Sequence, residues 1–197
     1  AAHPVPDDAG AKGARRMLDM MAGLTGDELV FALISGGGSA LLSLPAEGIS
    51  VEEKREVNRA LLRSGAPISE MNCVRKHLSA IKGGRLAAAA YPAKGVSLVI
   101  SAVPGDDLAA VGSGPTVADP TTFAQARAII AKYAIVAPPA VIRHLEAARD
   151  ETPKPGDPRL ANVETKLIAS PQKSLEAAAA VARKAGVMPI ILGDSLE

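Results

Sequence analysis

Along its 197 residues the chain switches between compact apolar runs and stretches with helical spacing. Leu29-Val-Phe-Ala-Leu-Ile34 and Val96-Ser-Leu-Val-Ile-Ser-Ala-Val103 are rich in β-formers and read as strands covered on both faces. Val163-Glu-Thr-Lys-Leu-Ile-Ala-Ser170 reads as a third strand, and Val187-Met-Pro-Ile-Ile-Leu-Gly-Asp194 as a fourth. Helical patterns lie between them. Asp7 and Asp8 offer an N-cap, after which Ala14, Leu18 and Met21 recur at helical spacing until Gly23. Ser50-x-x-Glu53 and Thr122-x-x-Gln125 are capping boxes. The first opens a helix to about Ser64; the second opens one with Phe123, Ala126, Ile130 and Tyr133 on a single face. A longer helical segment is expected from near Ser69 toward Ala90, another from Pro138-Pro139 to near Arg149, and a last from Ser170-Pro171 to Gly186. Thr25-x-x-Glu28 mimics a capping box, yet the apolar run directly after it favours a strand.

Strands alternating with helices predict an α/β fold: a mostly parallel, open, Rossmann-like sheet flanked by helices in three layers. Glu151-Thr-Pro-Lys-Pro-Gly-Asp-Pro-Arg159 carries three prolines and is the clearest break in the chain. Residues 1–150 are therefore expected to form the Rossmann-like part, 151–162 a linker or loop, and 163–197 a further strand-helix-strand unit of the same domain. The chain opens on Ala-Ala-His-Pro and closes just after an apolar run, which reads as a fragment of a two-domain protein with its second domain beyond residue 197.

Two segments carry candidate chemistry. Ser35-Gly-Gly-Gly-Ser39 follows the first strand directly. It is open to two readings, a tight strand-to-helix turn or a cradle whose backbone N–H groups hold an anion. It matches neither G-x-G-x-x-G nor G-x-x-x-x-G-K-[ST]. Ligands in open α/β folds sit outside the carboxyl ends of strands. The glycine turn, Pro104-Gly-Asp-Asp107 and Gly193-Asp194 are three such ends, expected to converge on one crevice.

In Glu70–Ala87, a helix would place Val74, Leu78 and Ile81 on one face and Asn72, Arg75, Ser79 and Lys82 on the other, with Lys76 beside them. Gly83-Gly84 and Arg85 follow. The four cations have no acid at helical spacing, and the double glycine would let backbone approach a ligand. Arg offers bidentate contacts to carboxylate or phosphate, and Lys a point charge.

Composition narrows the rest. With 22 basic against 21 acidic residues, no field attracts nucleic acid or an anionic membrane, and 2% aromatic content offers no stacking platform. The single Cys73 excludes an internal disulfide and a thiolate zinc cage, and favours a reducing, cytoplasmic setting. It is read as a buried thiol. No run is long enough to span a membrane. His77 is read as a packed or surface residue and His144 as structural; His3 lines the site or fixes a turn. A homo-oligomer is left open.

Taken in order, His3-Pro-Val-Pro-Asp-Asp-Ala-Gly10, "LISGGGSALL", "MNCVRKHLSAIKGGRLA", "PGDD", "GSGPTVADPTT", "ETPKPGD" and "ILGD" resemble the glycerate 2-kinase family, whose members are often labelled hydroxypyruvate reductase. The resemblance runs the full length of the chain. It implies a two-domain enzyme that phosphorylates D-glycerate with ATP and Mg²⁺ to 2-phosphoglycerate, with its active site in the cleft. It also implies that Ser35, Gly36, Gly37, Gly38 and Ser39 face nucleotide or substrate phosphate. Arg75, Lys76 and Lys82 would then supply catalytic cations, and Asn72 and Arg85 would contact substrate. Phosphoryl transfer needs charge neutralisation and positioning above all, which suits these residue types. Asp106 is a candidate base or magnesium ligand and Asp194 a second metal candidate, with Asp107 and Asp119 as competitors. An earlier strand with a Gly-Lys-Ala loop, typical of the family, is absent from these residues, so the fragment alone is expected to be inactive. Two other readings stay open: an NAD(P)H-dependent hydroxypyruvate reductase, and a non-catalytic module that binds an anionic metabolite.

Overall fold

The computed structural model describes residues 7–193. Among them are three strands, β1 (Leu29–Ile34), β2 (Lys94–Ile100) and β3 (Val163–Ala169), paired in parallel in the order β1-β2-β3. The pairing runs from Leu29 opposite Lys94 to Ile34 opposite Val99, and the β2–β3 register shifts between Val99 and Ile100. Helix α1 (Asp8–Met21) precedes the strands, α2 (Gly38–Leu41), α3 (Val51–Arg63), α4 (Ile68–His77) and α5 (Arg85–Ala90) join β1 to β2, α6 (Phe123–Lys132) and α7 (Pro139–Ala147) join β2 to β3, and α8 (Pro171–Lys184) follows. This is the expected α/β architecture.

The caps explain where the helices begin. Asp7 accepts from the Gly10 amide at α1. Both expected capping boxes close, at Ser50/Glu53 and at Thr122/Gln125. Thr25 and Glu28 also hydrogen-bond as a box would, yet no helix follows, because Leu29–Ile34 pairs with β2 instead.

The main core is helical. Val57 and Leu61 of α3, Cys73 and Val74 of α4, Phe123, Ala126 and Ile130 of α6, and Val141 and Leu145 of α7 pack together. Phe123 sits edge-on to His77 (ring centroids 4.8 Å apart) and to His144 (5.5 Å), and its full burial is worth roughly 1.5–3 kcal/mol. Both histidines are structural. The His77 ring nitrogens face Cys73 O at 2.8 Å and Glu151 Oε1 at 2.7 Å, and His144 Nε2 faces His77 O at 2.9 Å. A smaller cluster of Ala14, Leu44 and Ile81 packs α1 against the loop after α2 and the turn before α5.

Three expectations fail. β1 is not covered on both faces: Leu29, Phe31 and Leu33, which share one face, are exposed. The segment from Ser69 to Ala90 is not one helix. At Leu78 the backbone turns to meet an earlier loop: Leu78 O accepts from Ala46 N, Leu44 O accepts from Ala80 N, both at 3.1 Å, and Pro45 bridges Ser79. Ser79 and Lys82 therefore leave the helix, and Asn72, Lys76, Ser79 and Lys82 are buried rather than on a solvated face. The expected fourth strand is also missing from its described part. Residues 187–193 pair with no strand among the described residues, Pro189 offers no amide to a ladder, and Met188, Ile190 and Leu192 are exposed. Residues 151–162 form a loop anchored at its start, with Thr152 buried and Pro153 O accepting from the Asp119 amide at 2.8 Å.

Candidate functional site

The chain leaves β1 through Ser35-Gly36-Gly37 into α2, so the triple glycine does make a strand-to-helix turn at the carboxyl end of a parallel strand. Gly37 adopts φ 78°, a left-handed conformation open to glycine at little cost. Among the described residues, no backbone carbonyl accepts from the amides of Gly36 or Gly37. Gly36 and Gly38 line a cavity of about 530 Å³ whose walls are otherwise largely apolar, with Met17 and Met20 from α1 and Val30, Ala32 and Ile34 from β1. A Cβ on Gly36 would lie 3.7 Å from Ala102 beyond β2, and one on Gly38 3.6 Å from the Gly112 backbone. The glycine turn therefore lies beside Ala102, just past the end of β2, and beside Gly112. Gly193 has nothing within 4 Å of its Cβ position, and Asp194, like His3, lies outside the described residues.

Behind the turn lies a polar cluster. Lys82 Nζ donates to Ser39 O and, at 3.0 Å, to Ser39 Oγ. Ser39 Oγ is 2.7 Å from Ser113 Oγ, which donates to Asn72 Oδ1 at 3.4 Å. Burial, then the nearby charges of Lys54 and Arg75, hold the Lys82 amine well below the ordinary lysine range. Ser113 was not among the candidates. It is fully buried at φ 63°, between Gly112 at φ 61° and Gly114 at φ 57°, and a serine held left-handed inside a loop costs on the order of 1–3 kcal/mol. The sequence signal was available in Gly-Ser-Gly, where only the middle residue carries a side chain.

The cations divide. Lys76 Nζ pairs with Asp119 Oδ1 at 3.4 Å in a buried contact, and Arg85 pairs with Asp150. The expectation of four cations without carboxylates therefore holds only for neighbours in sequence; two acids arrive from distant loops. Arg75 donates from Nε to Asn58 Oδ1 at 3.2 Å and pairs with no acid among the described residues. The amides of Gly83-Gly84 are engaged within the protein. They donate to Ser113 O at 3.1 Å and Gly114 O at 2.7 Å, locking the two loops together.

The aspartates also separate. Asp119 is fully buried and satisfied by Lys76, the Thr121 amide and hydroxyl, and Thr152. Asp107 Oδ1 accepts from the Ala109 amide at 2.9 Å. Asp106, at φ 55°, keeps a buried Oδ1 with no hydrogen-bond partner among the described residues. Among the described residues no group of three His, Cys, Asp or Glu could hold a metal. Mg²⁺ manages with one or two carboxylates plus phosphate and water, so the spare Asp106 oxygen fits it. Cys73 is buried, and burial raises its thiol pKa, which makes it inert.

Residues 1–146 match the family described as Domain of unknown function (DUF4147). The whole chain is 44% identical to a Thermotoga maritima protein named D-glycerate 2-kinase, of which it covers 46%. It is 56% identical to an Agrobacterium vitis protein provisionally named hydroxypyruvate reductase, covering 44% of it. A crystal structure of glycerate kinase from Thermotoga maritima superposes with a TM-score of 0.86 at 45% identity, over 94% of this chain and 43% of that one. The chain spans about half the length of these relatives. It has the fold of the solved glycerate kinase, aligns along its whole length with proteins of that name, and belongs to the DUF4147 family.

Proposed function

We propose that the whole protein is a glycerate 2-kinase that transfers a phosphoryl group from ATP, with Mg²⁺, to the 2-hydroxyl of D-glycerate. The observation that carries this reading is the tie between Lys82 and the Ser39 turn at the carboxyl end of β1, in a chain 44% identical throughout to a protein named D-glycerate 2-kinase. In this reading Ser35 to Ser39 face phosphate through backbone amides and hydroxyls, and Lys82 and Arg75 neutralise charge that grows in the transition state. Asn72 positions Ser113 and hence Ser39. Lys76 and Arg85 act at one remove, holding the 119 and 150 loops against the double glycine. Asp106 offers its spare oxygen to Mg²⁺ or to the attacking hydroxyl; the ion, when bound, shields the phosphate charge.

The reading places residues 1–150 and 163–197 in one Rossmann-like domain, joined by the 151–162 loop, with a second domain completing the cleft in the whole protein. Because its relatives are about twice as long, residues 1–197 alone are expected to turn over little substrate. No described helix is long and apolar enough to cross a membrane, and a cytoplasmic setting belongs to the same proposal. The reductase name carried by some relatives favours a second reading, but the turn after β1 has no G-x-G-x-x-G for a dinucleotide. The test is product identity: phosphorus NMR of the reaction with glycerate, ATP and Mg²⁺ should show 2-phosphoglycerate. A product phosphorylated at another hydroxyl would overturn the assigned position.

A further inference from the structure

Three cations converge where α3, α4 and the turn before α5 meet, and the atoms that bind them are neutral oxygens. Lys54 of α3 is 3% exposed, and its Nζ donates to Leu44 O at 3.1 Å. One helical turn on, Asn58 accepts from Arg75, which brings the guanidinium of α4 against the same side of α3. Leu44 O also accepts from Ser79 Oγ at 3.1 Å, so Lys54 rests on the turn that leads to Lys82, itself 2% exposed. Among the described residues no carboxylate lies within ion-pair reach of Lys54, Arg75 or Lys82, whereas Lys76 and Arg85 each have an aspartate. Of the other charged groups of these elements, Glu52 pairs with Arg55 and Arg59, Glu53 closes the Ser50 cap, Glu70 pairs with Lys132 and His77 with Glu151, while Glu56 and Arg63 lie on the exposed side of α3.

Buried cations without counter-charge are costly, and such a cluster either sheds protons or receives an anion. Arg75 cannot shed its proton, and the terminal nitrogens of its fork have no protein partner among the described residues. A guanidinium fork matches the two oxygens of a carboxylate or phosphate. We propose that Lys54, Arg75 and Lys82 form a binding site for a compact oxyanion, a carboxylate or a phosphate group, with the Arg75 fork at its outer side and the two amines as inner donors.

The site shares Arg75 and Lys82 with the kinase reading and adds Lys54, which that reading does not use. Its ligand chemistry holds for any metabolite bearing such a group. Burial and mutual repulsion push both lysines toward the neutral form, so an arriving oxyanion draws protons in with it.

The test is calorimetric titration of the full chain at pH 7.5 with inorganic phosphate, with acetate and with chloride at matched ionic strength. Each is run in two buffers of different ionisation enthalpy, so that proton uptake is read directly. Saturable binding of phosphate or acetate with proton uptake is expected, with none for chloride; whichever oxyanion binds more tightly identifies the source. Lys54→Met should weaken binding at least tenfold and reduce the proton uptake. Arg75→Gln, a change at a half-buried position, serves as the second variant if Lys54→Met does not fold. Absence of saturable binding for both oxyanions, or binding unchanged in the folded variants, overturns the proposal. Oxyanion binding without ATP turnover in the whole protein would instead count against the kinase reading alone.

Discussion

Lys82 Nζ donates to Ser39 Oγ across 3.0 Å, joining the turn before the double glycine to the helix after the triple glycine. The two residues lie 43 positions apart in sequence. If this contact aligns the glycine turn for phosphoryl transfer, removing it disturbs chemistry more than folding. Lys82→Met in the whole protein should lower kcat on the order of 10²-fold or more, and Ser113→Ala should act in the same direction with a smaller loss. Steady-state kinetics check this, with circular dichroism as the folding control. Wild-type kcat in Lys82→Met would return the lysine to a packing role.

The double glycine gives a stability prediction. Gly84 has φ +83°, and an added Cβ would lie 3.0 Å from Val117 O and 3.3 Å from Pro153. Gly84→Ala should destabilise by about 1–3 kcal/mol. Gly48→Ala, at φ +79° with nothing within 4 Å, should cost only about 1 kcal/mol. Urea denaturation separates the two; equal losses would show that the Gly84 contacts can give way.

Lys54 gives stability an unusual pH dependence. Burial, followed by the Arg75 charge, lowers its pKa from 10.5 to about 7. Below pH 7 both folded and unfolded states hold the proton and the full penalty is present. Between about pH 7 and 10.5 the unfolded chain holds more protons, so stability rises with pH, by a few kcal/mol on the order of the linkage limit. Lys82 contributes with the same sign. Urea midpoints measured without oxyanions should therefore climb from pH 7 to pH 9.5, and Lys54→Met should flatten the slope. An unchanged slope in that variant would contradict the assignment.

Much of this fold was legible in local pattern. The Ser50 and Thr122 boxes mark their helices, and Leu29–Ile34 forms a strand with the predicted bounds, because caps and apolar runs are decided by residues within a few positions. The Ser69–Ala90 segment departs from its helical spacing because the backbone of Leu78 and Ala80 pairs with residues 44–46, a tertiary competitor that outweighs local pattern. The site was half visible for the same reason. Glycines and cations stand out in sequence, but Asp119 reaches Lys76 from 43 residues away, and nothing local marks Lys54 as buried. Ser113 acquires its role only once the loop folds left-handed onto Ser39.

The sheet makes a prediction about association. Leu29, Phe31 and Leu33 share one face of β1, an edge strand among the described residues, and Phe31 is 61% and Leu33 78% exposed. An apolar row on an edge strand invites pairing with another chain. Residues 1–197 should self-associate at micromolar concentration in sedimentation velocity, and Phe31→Lys with Leu33→Lys should leave a monomer with unchanged circular dichroism. Association that persists in the double variant would exclude this face as its cause.

The most direct measurement compares phosphoryl and hydride transfer in one preparation of the whole protein. One arm supplies D-glycerate, ATP and Mg²⁺ and follows ADP; the other supplies hydroxypyruvate with NADH or NADPH and follows absorbance of the reduced cofactor. A glycine turn tied to a buried lysine, with a spare aspartate oxygen beyond β2, suits phosphate and magnesium. ADP should form only with glycerate and Mg²⁺ both present, EDTA should abolish it, and the reduced cofactors should persist. Oxidation of NADH or NADPH by hydroxypyruvate, with ATP left intact, would contradict the kinase account.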